Sequence, residues 1–162
     1  MTFLDRQLIG LWDSAPYDLG AMETSEIVFL ADGRGWSRFE SITTELVIGR
    51  FRWHCPAPGR LELRYTWQVH GQWGRGSDGF ASVDHSGPDD EVVRTGYRIA
   101  PETPRGDDAP VPTLTLDRAV EYAFTFARGP VRVSPSDDPS SDVVPYAPGP
   151  KPGPPHRPGA QS

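Results

Sequence analysis

The sequence predicts an all-β fold, an antiparallel sandwich or barrel of about eight short strands, and three observations predict it. Period-two alternation recurs through the first 128 residues, most regularly at Leu61–His70. There Leu61, Leu63, Tyr65, Trp67 and Val69 share one face, and Glu62, Arg64, Thr66, Gln68 and His70 share the other; a half-buried strand reads this way. Turn signals such as Asp32-Gly33 and Cys55-Pro56-Ala57-Pro58-Gly59 separate the apolar runs. Beyond an opening helical turn over residues 2–9, no amphipathic helix breaks the series.

The elements follow in order. Thr2 is a candidate cap for the first turn, with Asp5 three residues on and Leu4 and Leu8 on one face. A strand begins near Gly10-Leu11-Trp12, and Ser25–Leu30 is the next. Asp32-Gly33 turns the chain into a return strand over 35–43. In Leu46–His54, Val47, Gly49, Phe51 and Trp53 face one way and Arg50, Arg52 and His54 the other. Pairing this strand with Leu61–His70 around a five-residue loop sets Arg52 opposite Glu62 and Trp53 opposite Leu61. Residues 71–91 read as a polar loop opening on Gly71-Gln72-Trp73-Gly74. Val92–Ile99, Thr113–Asp117 and Val120–Phe126 complete the set, with Val120, Tyr122, Phe124 and Phe126 alternating.

Composition divides the chain into a domain at 1–128 and a tail at 129–162. Ten of the 18 prolines lie in the tail, which has no apolar periodicity. Such a segment buries too little apolar surface to offset its ordering entropy, so it is expected to be disordered and dispensable. Net charge is −6. Arg132, Lys151 and Arg157 balance Asp137, Asp138 and Asp142 in the tail, so the acidic excess belongs to the body. That argues against a nucleic-acid partner, which needs a basic face. One cysteine, Cys55, permits no internal disulfide and no cysteine metal cluster. No run of about 18 apolar residues or basic leader implies a membrane partner or export, so the expected location is cytoplasmic. Fifteen arginines against one lysine suggest a G+C-rich, actinobacterial genome.

Several motifs in order resemble the calycin group, and within it the small bacterial lipocalin-like proteins. They are Gly10-x-Trp12 after a short helix, Phe29-x-Ala31-Asp32-Gly33-x-Gly35, Phe51-x-Trp53, Leu61-x-Leu63, Thr95-Gly96-Tyr97-x-Ile99 and Leu114-Thr115-Leu116. The resemblance covers roughly residues 4–126. It implies an up-and-down barrel with Trp12 packed at the closed end and a late basic residue across it. Arg128 is the candidate by position, with Arg98 and Arg118 as alternatives.

Candidate ligand-binding residues are the aromatics that alternation turns inward or places above the barrel: Trp53, Tyr65, Trp67, Trp73, Tyr97, Tyr122 and Phe124. They would line a cavity for an apolar molecule, with Trp73 in a lid. The competing reading is a filled core, because an eight-stranded barrel is barely wider than its own side chains. Gly10, Trp12 and Arg128 are structural candidates. Asp78, Asp84, His85, Asp89 and Asp90 match no metal-ligand spacing and read as a solvated loop, so no metal or cofactor is assigned. His54 and His70 fall on the outer face, and Cys55 has no nucleophile context. The leading expectation is a non-enzymatic binder of a small apolar ligand. An isomerase or cyclase using the cavity is the second, since such chemistry can rest on positioning and a few hydrogen bonds. A protein-interaction module, such as an inhibitor or immunity partner, is the third.

Overall fold

The computed structural model of the chain describes residues 2–18, 21–75, 79–106 and 109–146. Among the described residues nine strands form one antiparallel sheet: β1 (Gly10–Asp13), β2 (Glu23–Phe29), β3 (Arg34–Ser41), β4 (Glu45–Ala57), β5 (Arg60–Trp73), β6 (Phe80–Pro88), β7 (Val92–Glu102), β8 (Val111–Val120) and β9 (Ala123–Arg128). The sheet closes on itself, because β1 pairs with both β2 and β9, and β5 with both β4 and β7. Eight staves result from nine strands. β6 and β7 run consecutively along the same edge of β5, β6 against Trp67–Trp73 and β7 against Arg60–Arg64. The fold is therefore a closed eight-stave antiparallel meander, the barrel rather than the sandwich that alternation left open, with β6 in place of an expected polar loop. β6 was hidden because nearly all of it is exposed and it carries no apolar face.

The opening helix is one 3-10 turn, Arg6–Leu8, and Asp5 rather than Thr2 caps it by accepting from the Gln7 amide at 3.0 Å. The β4–β5 register also differs from expectation. Trp53 faces Leu63, His54 faces Glu62 and Arg52 faces Arg64. The chain turns tightly at Pro58-Gly59, where Gly59 takes φ +73°, and not through a five-residue loop. The two-residue slip preserves which face each side chain occupies, so the hydrophobic pattern alone did not decide it.

Two cores result. The barrel interior packs Leu8, Trp12, Phe29, Phe51, Trp53, Leu63 and Phe126 with their neighbours. A second cluster lies outside the barrel wall: Val28, Leu30, Trp36, Leu46 and Ile48, with Val133, Trp73 and Phe80 packed on them. The expectation of an unstructured tail from Gly129 is corrected here for residues 129–146. That segment crosses β1, with the Leu11 amide bonded to the Pro130 carbonyl at 2.8 Å. It then forms 3-10 turns at Pro135–Asp137 and Pro139–Asp142. Arg50, buried on the outer side of β4, donates to Ser140 Oγ at 2.9 Å and lies 3.4 Å from the Asp138 carboxylate. The Tyr146 ring covers its guanidinium at 3.8 Å. Composition does not reveal this segment because much of its anchoring is polar, through Arg50 of β4, with Val133 packed on the outer cluster. Residues 147–162 lie outside the described residues.

Candidate ligand site at the open end of the barrel

One end of the barrel is closed from the N-terminal side. Trp12 is fully buried and donates through Nε1 to the Leu8 carbonyl at 2.8 Å. Arg128 lies across its ring at 4.7 Å and donates to the Gln7 and Ile9 carbonyls. Gly10 takes φ +123°, and a Cβ there would lie 2.9 Å from the Pro130 carbonyl oxygen, so a side chain would collide with the crossing chain. Arg98 pairs instead with Glu102 at 3.5 Å.

The other end holds a cavity of about 760 Å³. Its wall begins with a local event in β5. Arg50 faces Trp67 while Phe51 faces Tyr65, so Thr66 is an extra residue on β5. Such a β-bulge puts two consecutive side chains on one side and inverts the alternation beyond it. Tyr65 points inward, Trp67 outward, and Gln68 and His70, expected to face water, line the cavity.

The opposite wall is the β8–β9 turn. Val120 pairs with Ala123, and the two residues between, Glu121 and Tyr122, take φ +49° and +67°. This turn geometry ordinarily selects Asn-Gly, because a Cβ is strained there. Ser25 Oγ fixes it by donating to the Glu121 carbonyl at 2.6 Å. The turn directs the Glu121 carboxylate to Ser37 of β3, whose hydroxyl donates to it at 2.8 Å. Ser37 Oγ is 2.9 Å from the Tyr65 hydroxyl; with the serine proton committed to Glu121, Tyr65 donates to Ser37. Room for the Tyr65 ring comes from Gly49, where a Cβ would lie 2.6 Å from a ring carbon. Tyr122 stays exposed at the rim and meets the Phe39 ring edge-on at 5.4 Å.

The lining is acidic. Glu23, Glu45, Asp89, Glu91 and Glu121 contribute carboxylates. Among the described residues of the lining, His70 is the sole other titratable side chain besides Tyr65 and Tyr122, and no lysine or arginine takes part. Burial raises the Glu121 pKa; the Ser37 hydrogen bond opposes this and the Glu91 charge adds to it. Burial, then the Glu121 charge, raises that of Tyr65. Among the described residues no three His, Cys, Asp or Glu side chains converge closely enough to hold a metal ion.

The structure thus brings together two of the seven predicted ligand residues, Tyr65 and Tyr122. Trp53 is buried in the core, donating to the Leu30 carbonyl at 3.0 Å. Trp67 lies outside beyond the bulge, bonded to Ser86 Oγ at 3.0 Å. Trp73 is no lid: it ends β5 on the outer face, donating to the Ser41 carbonyl at 3.0 Å. Tyr97 sits at the closed end, its hydroxyl 2.6 Å from Asp5 Oδ2 and 3.6 Å from the buried Cys55 sulfur. Phe124 is half-exposed outside the cavity lining, because the turn at 121–122 interrupts the run from Val120 to Phe126. Of the predicted loop over 71–91, residues 76–78 lie outside the described residues. Among the described residues no helix is long and apolar enough to cross a membrane. No protein-family model, curated protein or solved structure matches this chain.

Proposed function

We propose that this barrel is a small-molecule-binding protein whose ligand sits in the open-end cavity, with an apolar part against Phe39, Tyr65 and Val120. The observation that carries the reading is the strained Glu121–Tyr122 turn. Two non-glycine residues in the left-handed region cost stability and persist where the surrounding structure over-determines them, which is characteristic of ligand sites. A concave, partly apolar space with a few convergent polar groups is the ordinary form of such a site. Membership of the lipocalin-like proteins is part of the proposal. It is supported by the closed meander, the 3-10 plug and the stacking of Arg128 on Trp12.

Filling the cavity tests the reading. Val47→Trp places a large ring in the lining without touching the closed end. A panel of small aromatic and aliphatic probes, neutral and charged, is followed by ligand-observed NMR. Saturable binding of at least one probe by the wild type, lost in a folded Val47→Trp variant, is expected. No binding across the panel would remove the proposal.

The Tyr65–Ser37–Glu121 hydrogen-bonded chain specifically favours the isomerase or cyclase reading. A carboxyl group with a raised pKa beside a relay can exchange a proton with a bound molecule. Its test is deuterium uptake next to the carbonyl of a bound ketone probe, lost in Glu121→Gln.

A further inference from the structure

Resting on the small-molecule reading, we propose that the cavity selects a monovalent organic cation, an amine or quaternary ammonium with an apolar body. Five carboxylates from four separate stretches of chain surround the space, and among the described residues no lysine or arginine shares it. Two carboxylates elsewhere on the barrel are met by cations. Glu62 on the outer face is met by Arg94 at 2.8 Å, His54 at 3.2 Å and Arg64 at 3.9 Å. Glu40 on β3 is met by Arg38 at 2.7 Å. In the cavity, Glu121 receives one serine hydroxyl and feels Glu91 as a like charge. A largely buried carboxylate at Glu121, with four further acidic residues lining the same concave space, favours an incoming cation and repels an anion.

The cation is organic and not a metal ion. The carboxylates lie on different walls, and among the described residues no three of them converge. A metal needs several oxygens within about 2.0–2.6 Å of one point. The space of about 760 Å³ is of the size that holds small organic molecules. Phe39, Tyr65 and Tyr122 line the same space as the acidic residues. Aromatic rings bordering anionic groups are a recurrent way to hold alkylammonium groups.

A pair of isosteres separates charge from shape: phenyltrimethylammonium and tert-butylbenzene, which differ in one nitrogen for one carbon. Binding is measured by ligand-observed NMR on the full chain at pH 7.5 and pH 5. The cation is expected to bind at least tenfold more tightly than the hydrocarbon at pH 7.5. Its affinity should fall several-fold at pH 5, as Glu121, whose pKa burial raises and whose space is shared with Glu23, Glu45, Asp89, Glu91 and His70, gains a proton. Glu121→Gln should lower cation affinity at least fivefold and leave the hydrocarbon unchanged. Glu91→Gln provides the same contrast from the facing wall without altering the strained turn. Equal binding of the two isosteres, or preference for an anionic probe, would overturn the cation assignment and leave the small-molecule reading in place. Failure of every probe in the panel would overturn both.

Discussion

Glu121 occupies a position where its own conformation and its charge both oppose stability. A left-handed non-glycine residue costs roughly 1–2 kcal/mol, and a half-buried carboxylate adds a desolvation penalty. Glu121→Gly removes both and loses the Ser37 hydrogen bond, worth about 1 kcal/mol. The net expectation is a gain of about 1 kcal/mol in urea unfolding, with cation binding lost. A variant that is both less stable and still binding would contradict this account of the turn. A second carboxylate behaves similarly away from the cavity. Glu26 faces Asp13 directly across β1 and β2. Burial pushes its pKa up to about 6; Arg38 opposes the rise, and the charges of Asp13 and Glu40 add to it. The folded value lies above the unfolded one, so the folded state binds more protons between them. Stability therefore falls as pH rises from about 4.5 to about 6. A gap of that width between folded and unfolded values amounts to about 2 kcal/mol. Glu26→Gln should recover that amount at pH 7.5 and nothing at pH 4, compared by denaturant titration at the two pH values.

Strands show where the sequence could be read and where it could not. The inward set of β4, Val47, Gly49, Phe51 and Trp53, was legible because β4 keeps one parity through Cys55. The run Ile27-Val28-Phe29-Leu30 does not alternate, and all four are buried; this is the pattern of a strand covered on both faces. The sequence shows that β2 is covered but not by what. In β5 the alternation was legible only as far as Tyr65. Thr66 has no compositional mark of a bulge, such as a glycine, so Trp67 reads as inward and Gln68 and His70 as outward. The Glu121–Tyr122 turn was equally silent, since it lacks the Asn-Gly chemistry that normally announces it. The cavity therefore went half-read because two irregularities, invisible to periodicity, aim its side chains. Trp67→Phe and Trp73→Phe are accordingly expected to leave probe affinity unchanged, whereas Gln68→Trp should abolish it. Weakened binding in either tryptophan variant would place those rings at the site after all. The closed end behaves differently, since Trp12 is a packing residue. Trp12→Ala should cost about 3–5 kcal/mol through lost burial and a residual cavity, read as a drop in the unfolding midpoint. A near-neutral effect would mean that the plug is not what closes this end.

Across the whole molecule, the outer core and the arginine clamp make the barrel depend on a segment beyond its last strand. Val28, Trp36 and Ile48 are buried on the outer face, in a cluster on which Val133 of this segment packs together with Leu11, Trp73 and Phe80 of the barrel. Burial of Arg50 also requires this segment, since its partners Asp138 and Ser140 lie within it. Asp138 has no exposed side-chain surface, accepts from the Ser140 amide at 2.7 Å and bonds the Tyr146 hydroxyl. Removing the arginine alone would leave that carboxylate buried without its cation, a situation that costs about 3–5 kcal/mol. Removing the whole segment would not strand Asp138, but it would expose an apolar patch beside an uncovered Arg50. Two truncations distinguish the strap from the residues after it. A chain ending at Tyr146 loses only a proline-rich stretch with no apolar pattern, and should melt within a few degrees of the full chain. A chain ending at Arg128 should melt at least about 10 °C lower, on the scale of a few kcal/mol in a domain this size, or aggregate through the exposed face. Arg50→Ala in the full chain should fall near the shorter truncation. If the chain ending at Arg128 melts with the full-length protein, the strap merely lies on a barrel that is complete without it.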